Sequence, residues 1–308
     1  MDTRIFHLHA LSPLHCGTGQ STGVVDLPIA RARATRLPIV PGSSLRGVLR
    51  EHLSVSPDNT TRVERLFGPA QIRSNDQAFA GALAINDAHL LALPVRALTG
   101  IVCYATSPFV LRRYAEDLRR AGESLPDLPA APAAGAVRLQ EHSPNRGESV
   151  ESRTTLVLED LDLRIESDSG GLLAAWAQQI VERVFPGDAD SQAQIGPRIA
   201  LLPDDVFAFL AETATDVRAR IAIDQDSGTV KQGALWYEEN LPADSLLWGV
   251  YAVAASRHPE DREEGAGPET ADALAACLPD GGALLQIGGK AGVGRGLVRF
   301  LRTQGVGA

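Results

Sequence analysis

The stretch from His15 to Arg50 joins a glycine-rich turn, one acid (Asp26) and a cationic segment. From Leu27 to Arg50 there are five arginines, Arg31, Arg33, Arg36, Arg46 and Arg50, and no acid, in a chain of net charge -9. Cations gathered locally against the overall sign are suited to a polyanion. Ser43 is placed to cap a helix whose first-turn amides are orphan donors with a partial positive charge. A phosphate seated between Ser43, Ser44 and Arg46 would offset the poor fit of an arginine to a first helical turn, with Arg50 one turn further on. The plainer alternative is an ordinary capped helix with its arginines in water. A second cationic stretch follows Asp280, where Lys290, Arg295, Arg299 and Arg302 occur without an acid. If the two ends meet in the fold, they form one basic groove.

Other motifs narrow the field. GGKAGVGRG at 288–296 lacks the GxxxxGK[ST] spacing, and Gly292, Gly294 and Gly296 stand two apart rather than in GxGxxG order, so ATP and NAD are not supported. Gly17, Gly19 and Gly23 miss the dinucleotide pattern too. What remains at 288–296 is a turn whose close backbone approach, with Lys290 and Arg295, suits an RNA backbone; tight turns between strands are the alternative. Asp224, Asp226 and Gly228 resemble the start of a calcium loop, but the twelfth position is Leu235 instead of Glu, and a hairpin turn is the better reading.

The 308 residues, 44% apolar and 22% charged, describe a globular chain able to bury a core. Cys16, Cys103 and Cys277 are too scattered for a CxxC pair or an even disulfide set, which fits a reducing cytoplasm. No basic leader with an apolar core opens the sequence, and no apolar run is long enough to span a bilayer, so no membrane is expected and the location expected is cytoplasmic. Aromatics at 5% are too few for a base-stacking platform of the ordinary RNA-recognition kind.

The elements that would position these residues read as follows. Residues 4–11 alternate as a strand, and Leu45, Val48, Leu49 and Leu53 recur at helical spacing after Ser43. Strands are predicted over 81–91 and 100–106, then a helix capped by Ser107 with Pro108 at its first position and Gly122 at its end. The Pro/Ala run from Pro126 to Gly135 reads as a surface loop. A helix at 171–184, a strand and short helix around 198–212, a hairpin turning at Asp226-Ser227-Gly228 and a buried strand at Leu246–Ala254 come next. An acidic loop at 257–267, a helix near 269–278 and strands at 283–287 and 297–301 complete the chain. This order predicts an α+β fold of interleaved ferredoxin-like units, one domain over 1–308 with its main insertion at about 125–200.

The segments VVDLPIARARATRLPIVPGSSLRGVLR, LFG at 66–68, DAHLLALPVRALTG at 87–100, ATSPFVLRR at 105–113, GALWYEENLP at 233–242 and GGKAGVGRG occur in order along nearly the whole chain. Together they resemble the backbone RAMP (Cas7-like) subunit of the type III-B (Cmr) CRISPR effector. The DLPI spacing and the ALWYEE segment favour this version over the related type III-A subunit. The resemblance implies a modified RNA-recognition-motif palm with a thumb, supplied by the 218–237 hairpin or by the segment between 125 and 200. It also implies polymerisation along a guide RNA (crRNA) beside other Cmr effector subunits. Each copy of such a subunit cuts the paired single-stranded target RNA once, as an endoribonuclease of antiviral defence, and a catalytically silent structural backbone subunit is the alternative. The acid in the VVDLPI position is the catalytic one in that family, which here is Asp26.

RNA carries its own nucleophile, the 2′-hydroxyl, so cleavage requires in-line geometry and help with protons and charge. Asp26, just before Leu27-Pro28, is expected on an extended segment, since a residue preceding proline avoids the helical region. It would take a proton or hold a divalent cation, Mg2+ or Mn2+, and a turn-forming aspartate is its plain alternative. The resemblance places a histidine near the cleavage site at the position of His15, a residue type suited to acid–base work near neutrality, although a lone histidine at a strand end is commonly just hydrogen-bonded. Glu238 is the third catalytic candidate. Relatives tend to carry an aromatic where Asn240 stands, so a tyrosine's role there does not transfer.

Overall fold

A computed structural model describes residues 3–21, 23, 25–55, 60–71, 78–146, 155–262, 269–279 and 281–302. The predicted acidic loop therefore lies outside the described residues from 263 to 267. The N-terminal part of the chain runs β1 (Thr3–Ala10), β2 (Ile39–Val40), α1 (Gly42–Ser54), α2 (Thr60–Phe67), β3 (Leu83–Ile85), β4 (Ala88–Ala97), β5 (Ile101–Thr106) and α3 (Pro108–Arg120). The middle supplies β6 (Ala136–Leu139), β7 (Thr155–Leu158), β8 (Leu161–Ser167), α4 (Leu172–Val184), α5 (Ala189–Ile195), β9 (Ile199–Leu201), α6 (Asp204–Thr213), β10 (Asp216–Ile223) and β11 (Val230–Asn240). The end contributes β12 (Leu246–Val253), α7 (Ala271–Ala275), β13 (Ala283–Gln286) and β14 (Leu297–Arg302).

Strands β14, β1, β12 and β4 lie side by side in that order, all antiparallel, so the two ends of the chain do meet. The alternation read in β1 has its cause in this placement. Phe6 stacks on Phe300 of β14 with ring centroids 5.5 Å apart, whereas His7 bonds the Tyr114 hydroxyl of α3 at 2.7 Å and His9 meets Phe185 at the end of α4. Both faces of β1 are thus covered, and burial, reinforced by Arg183, drives His7 down to about 3, so it sits neutral.

The chain between β4 and β12 forms most of the second part of the fold. Strands β5, β9, β6, β8 and β7 continue the sheet from β4 and return to it where Ala97 pairs with Leu158, closing a six-stranded ring. All of β9 and most of β5 and β6 are buried, whereas β7 buries only Leu156 and Leu158 and β8 only Leu163. At α3 the predicted cap is present: Ser107 Oγ accepts the Val110 N–H and Pro108 opens the helix, while Gly122 follows its end at φ +87°. Strands β10 and β11 form a separate two-stranded sheet that exposes Ile221, Ile223, Val230 and Leu235.

Helix α1 departs from expectation. It starts at Gly42 with Pro41 as its cap residue and no side-chain cap, so Ser43 is already inside the helix. Its leading amides are largely engaged: Gly42 N–H donates to Asp87 Oδ1 at 2.8 Å, and the Ser44 and Leu45 amides donate to the Pro41 carbonyl. Gly42 is required here because a Cβ would meet the Ile85 carbonyl oxygen at 2.8 Å. Arg46 does not reach back to the helix start. Its guanidinium donates to the carbonyls of Leu83 (2.6 Å) and Phe67 (2.8 Å) and lies 5.3 Å from the centre of the Phe67 ring, and Arg50 donates to the Gly68 carbonyl. The seat expected between Ser43, Ser44 and Arg46 is therefore not built in that form, because carbonyls left free at the end of α2 and in β3 already take the arginines. Arg46→Ala is expected to lower the stability of the free chain by about 1–3 kcal/mol, the cost of stranding buried carbonyls, measured by thermal melting. An unchanged melting curve with weakened guide binding would return Arg46 to the RNA.

Candidate active site

Residues 14–30 and strand β11 come together because β11 has one backbone edge to spare. Its other edge pairs with β10, where Arg218 lies opposite Glu238 and Ala219 opposite Tyr237. The free edge takes the loop carrying Asp26 as a short parallel neighbour: Leu27 N–H donates to the Tyr237 carbonyl (3.1 Å) and Glu239 N–H to the Leu27 carbonyl (3.0 Å). The Pro28 ring keeps this segment extended. Behind it, Ala30 N–H donates to the Cys16 carbonyl and Leu14 pairs with Leu241, which carries His15 to the same edge.

Asp26 and His15 are both fixed to β11 main chain. Asp26 Oδ2 accepts the Tyr237 N–H at 2.8 Å, on a residue that is partly exposed. His15 Nδ1 lies 2.7 Å from the Glu239 carbonyl oxygen. A carbonyl only accepts, so Nδ1 carries the proton and, in the neutral ring, Nε2 carries the lone pair. That nitrogen faces Gly17, where a Cβ would stand only 2.7 Å away, so glycine is needed for the ring to fit, and His15 as a whole is buried, with 5% exposure. The two anchor residues are two positions apart on one strand, about 7 Å by the rise of a β-strand. The carboxylate and the imidazole are thus presented along one edge, at the root of the projecting hairpin.

Glu238 is placed differently from the expectation. Its side chain points to the opposite face of β11 and is 1% exposed. Oε1 accepts from Lys290 Nζ (2.9 Å) and Trp236 Nε1 (2.8 Å), with Arg220 Nε at 3.9 Å, while Oε2 is buried without a partner. Burial disfavours its charge, but the Lys290 and Trp236 donors, with the charges of Lys290 and Arg220, outweigh that and hold it below the ordinary carboxylate range. Glu238 is a sealed, ionised group behind the edge rather than a group beside a substrate. Lys290 is correspondingly an ion-pair partner, standing at φ +68° in the glycine-rich turn, and Arg295 is buried, its amide donating to the Lys290 carbonyl. Asn240 laces the hairpin base through Nδ2 to the Asp216 carbonyl.

Sequence reasoning passed over Glu239 and the function of Arg31. Glu239 Oε1 accepts Arg31 Nη2 at 2.5 Å and Oε2 accepts the Ile29 N–H at 3.0 Å, both partners being nearly buried. The only signal was the Glu238-Glu239 pair itself: adjacent strand residues face opposite sides, so two acids there must each find a partner or reach water. Two cations of the expected basic groove thus serve internal acids: Arg31 pairs with Glu239 and Lys290 with Glu238.

A lowered carboxylate pKa stabilises the fold above the ordinary carboxylate value and ceases to do so as pH falls through the lowered one. Lys290→Met removes the foremost partner of Glu238 and is expected to destabilise the chain by about 1–3 kcal/mol at neutral pH. The gap from wild type should narrow in acid, where Glu238 is protonated in both proteins, as read from thermal melts across pH; a gap constant with pH would refute the pairing as the cause.

Comparisons with known proteins agree with this architecture. The RAMP superfamily profile matches residues 7–299. The CRISPR system Cmr endoribonuclease Cmr4 of Pyrococcus furiosus is 34% identical over 310 residues, spanning 97% of this chain and 95% of that protein. The crystal structure of oligomeric Cmr4 from Pyrococcus furiosus is 29% identical with a TM-score of 0.70, covering 98% of each chain. A chain of the type III-B Cmr-beta complex bound to cognate target RNA, at 19% identity, shares the fold with a TM-score of 0.72 over 97% of this chain and 96% of that one. With a near end-to-end profile match and a full-length relative above 30% identity, the chain belongs to the RAMP superfamily, within its Cmr4 family.

Proposed function

We propose that this chain is a guide-RNA-binding backbone subunit of a type III-B CRISPR effector and an endoribonuclease that cuts the complementary target RNA once per copy. The observation that carries the reading is the shared edge: Asp26 and His15 held to Tyr237 and Glu239 of one strand, at the base of a hairpin that projects from the sheet. In this reading the β14-β1-β12-β4 sheet is the RNA-recognition-motif-type palm and the hairpin of β10 and β11 is the thumb. Kinship with Cmr4 supports assembly along a guide with other copies and with other Cmr subunits, and the reading places the complex in the cytoplasm.

The chemistry needs little from the protein. A target nucleotide splayed at the hairpin base brings its 2′-oxygen in line with the leaving 5′-oxygen, and that alignment supplies much of the rate. His15 Nε2, the lone-pair nitrogen beside Gly17, accepts the 2′-hydroxyl proton once the target nucleotide is seated against it, while the Glu239 carbonyl holds the resulting imidazolium through Nδ1–H. Asp26, kept in place by the Tyr237 amide, presents its other oxygen to the reacting nucleotide. A divalent ion such as Mg2+ or Mn2+ would be held by Asp26 as its protein ligand, with RNA phosphates and water, since among the described residues no cluster of three or more His, Cys, Asp or Glu could hold one. Bound there, it would neutralise charge on the phosphate. Sequence choice falls to base pairing between guide and target.

Asp26→Ala in the assembled complex is expected to abolish target cuts, by about a hundredfold or more in rate, with guide and target affinity unchanged. Gel analysis of labelled target decides it. Undiminished cutting would leave the silent backbone subunit as the correct description.

A further inference from the structure

We infer that Glu239 is a positioning residue of this site, acting on His15 directly and on Asp26 through the register of the loop that carries it. The inference rests on the cleavage reading above. Four contacts meet at this residue. Its N–H holds the Leu27 carbonyl, its carbonyl fixes His15 Nδ1–H, Oε2 takes the Ile29 N–H and Oε1 takes Arg31. Asp26 lies one residue before the first of these loop contacts and three before the Ile29 contact, so the strand–loop register that Glu239 enforces is also the position of the Asp26 carboxylate.

Arg31 ties the clamp to the body of the protein. Its Nη1 donates to the Ala211 carbonyl in α6 (3.0 Å) and to the Arg36 carbonyl (2.8 Å), while Nη2 holds Glu239. The Arg31 and Glu239 side chains are 10% and 8% exposed, so nothing in solvent readily replaces either partner. Replacing the carboxylate by an amide leaves one oxygen for two donors, so either the Ile29 amide or Arg31 Nη2 meets an NH2 group, and the loop is free to shift against β11. A shift of about 1 Å in a reacting group is enough to cost on the order of a hundredfold in rate. Glu239 touches no substrate in this arrangement and acts only through its two neighbours. The Nδ1–H tautomer of His15 is a direct reporter, because it depends on the ring keeping its place against the Glu239 carbonyl.

The test combines two readouts. Single-turnover cleavage and target affinity are measured in complexes assembled with guide RNA from wild type, Glu239→Gln, and the apolar pair Arg31→Met with Glu239→Met, which leaves no buried charge unpaired. Histidine nitrogen shifts are recorded on the isolated chain, with His15 assigned through His15→Gln. Positioning predicts at least a tenfold slower cut at unchanged target affinity in Glu239→Gln, and a His15 ring that no longer holds the single Nδ1–H form. It also predicts that the apolar pair regains the wild-type melting temperature but not the rate. A rate that returns together with stability in the apolar pair makes the clamp merely structural and overturns the inference. Wild-type cutting in Glu239→Gln, where Asp26→Ala abolishes cutting, overturns it while leaving the cleavage reading intact. If Asp26→Ala cuts normally, the cleavage reading is what fails, and the His15 shifts decide the clamp alone: an unaltered tautomer in Glu239→Gln refutes it and a mixed one supports it.

Discussion

The structure around the candidate site depends on two neighbouring glutamates in one strand, each buried with a cation on its own side. Glu239 faces Arg31 and the Ile29 amide; Glu238 faces Lys290 and the Trp236 indole. The two-residue period of a β-strand forces this division. Buried ion pairs add little net stability, since desolvation consumes most of their Coulomb gain, but breaking one is costly. They therefore act chiefly as constraints on geometry. Here they draw the 14–31 segment, the hairpin and the 288–296 turn to one strand, although these are far apart in the chain.

The cationic run in the sequence takes on a different meaning in this light. Arg31 serves Glu239, and Arg46 and Arg50 close the end of α2 by occupying main-chain carbonyls. Arg36, largely exposed, makes only a 3.4 Å contact with Glu212, and Arg33 is exposed with no carboxylate or carbonyl partner among the described residues. A chain of net charge -9 that uses Arg31, Arg46 and Arg50 internally keeps fewer of the cations of this run for RNA phosphates. Affinity for a long RNA then has to accumulate over repeated copies, each adding a few contacts along one continuous strand.

How much could be read beforehand follows from where the determining forces lie. Strand β1, the capped helix α3, the Asp226-Ser227-Gly228 turn and strands β12 and β14 rest on local periodicity and capping, and they stand where the sequence places them. The ring closed between β4 and β7 was not legible, because β9 has three residues, β6 and β7 have four each, and their partners are distant in sequence. The start of α1 was misread for a physical reason. Ser43 is a good cap by type, but Pro41 with Asp87 satisfies the amides two residues earlier. Asp26 was singled out by resemblance alone, since nothing local separates it from an aspartate in a turn. Glu238 was preferred to Glu239 without any means of telling which of two adjacent acids would face the loop; only the pairing register of β11 with β10 and with Leu27 decides that.

A site of this construction suits a substrate that brings its own nucleophile. Main-chain anchors, an amide for Asp26 and a carbonyl for His15, cannot change rotamer and do not titrate, so each functional group is oriented by the ladder itself. The same edge that orients them is also the root of the projecting hairpin, so whatever displaces a nucleotide along the hairpin delivers it beside both groups. In the proposed cleavage, placement and splaying are then one structural event: the geometry lowers the entropic part of the barrier, and Asp26 and His15 are left only the proton and the charge.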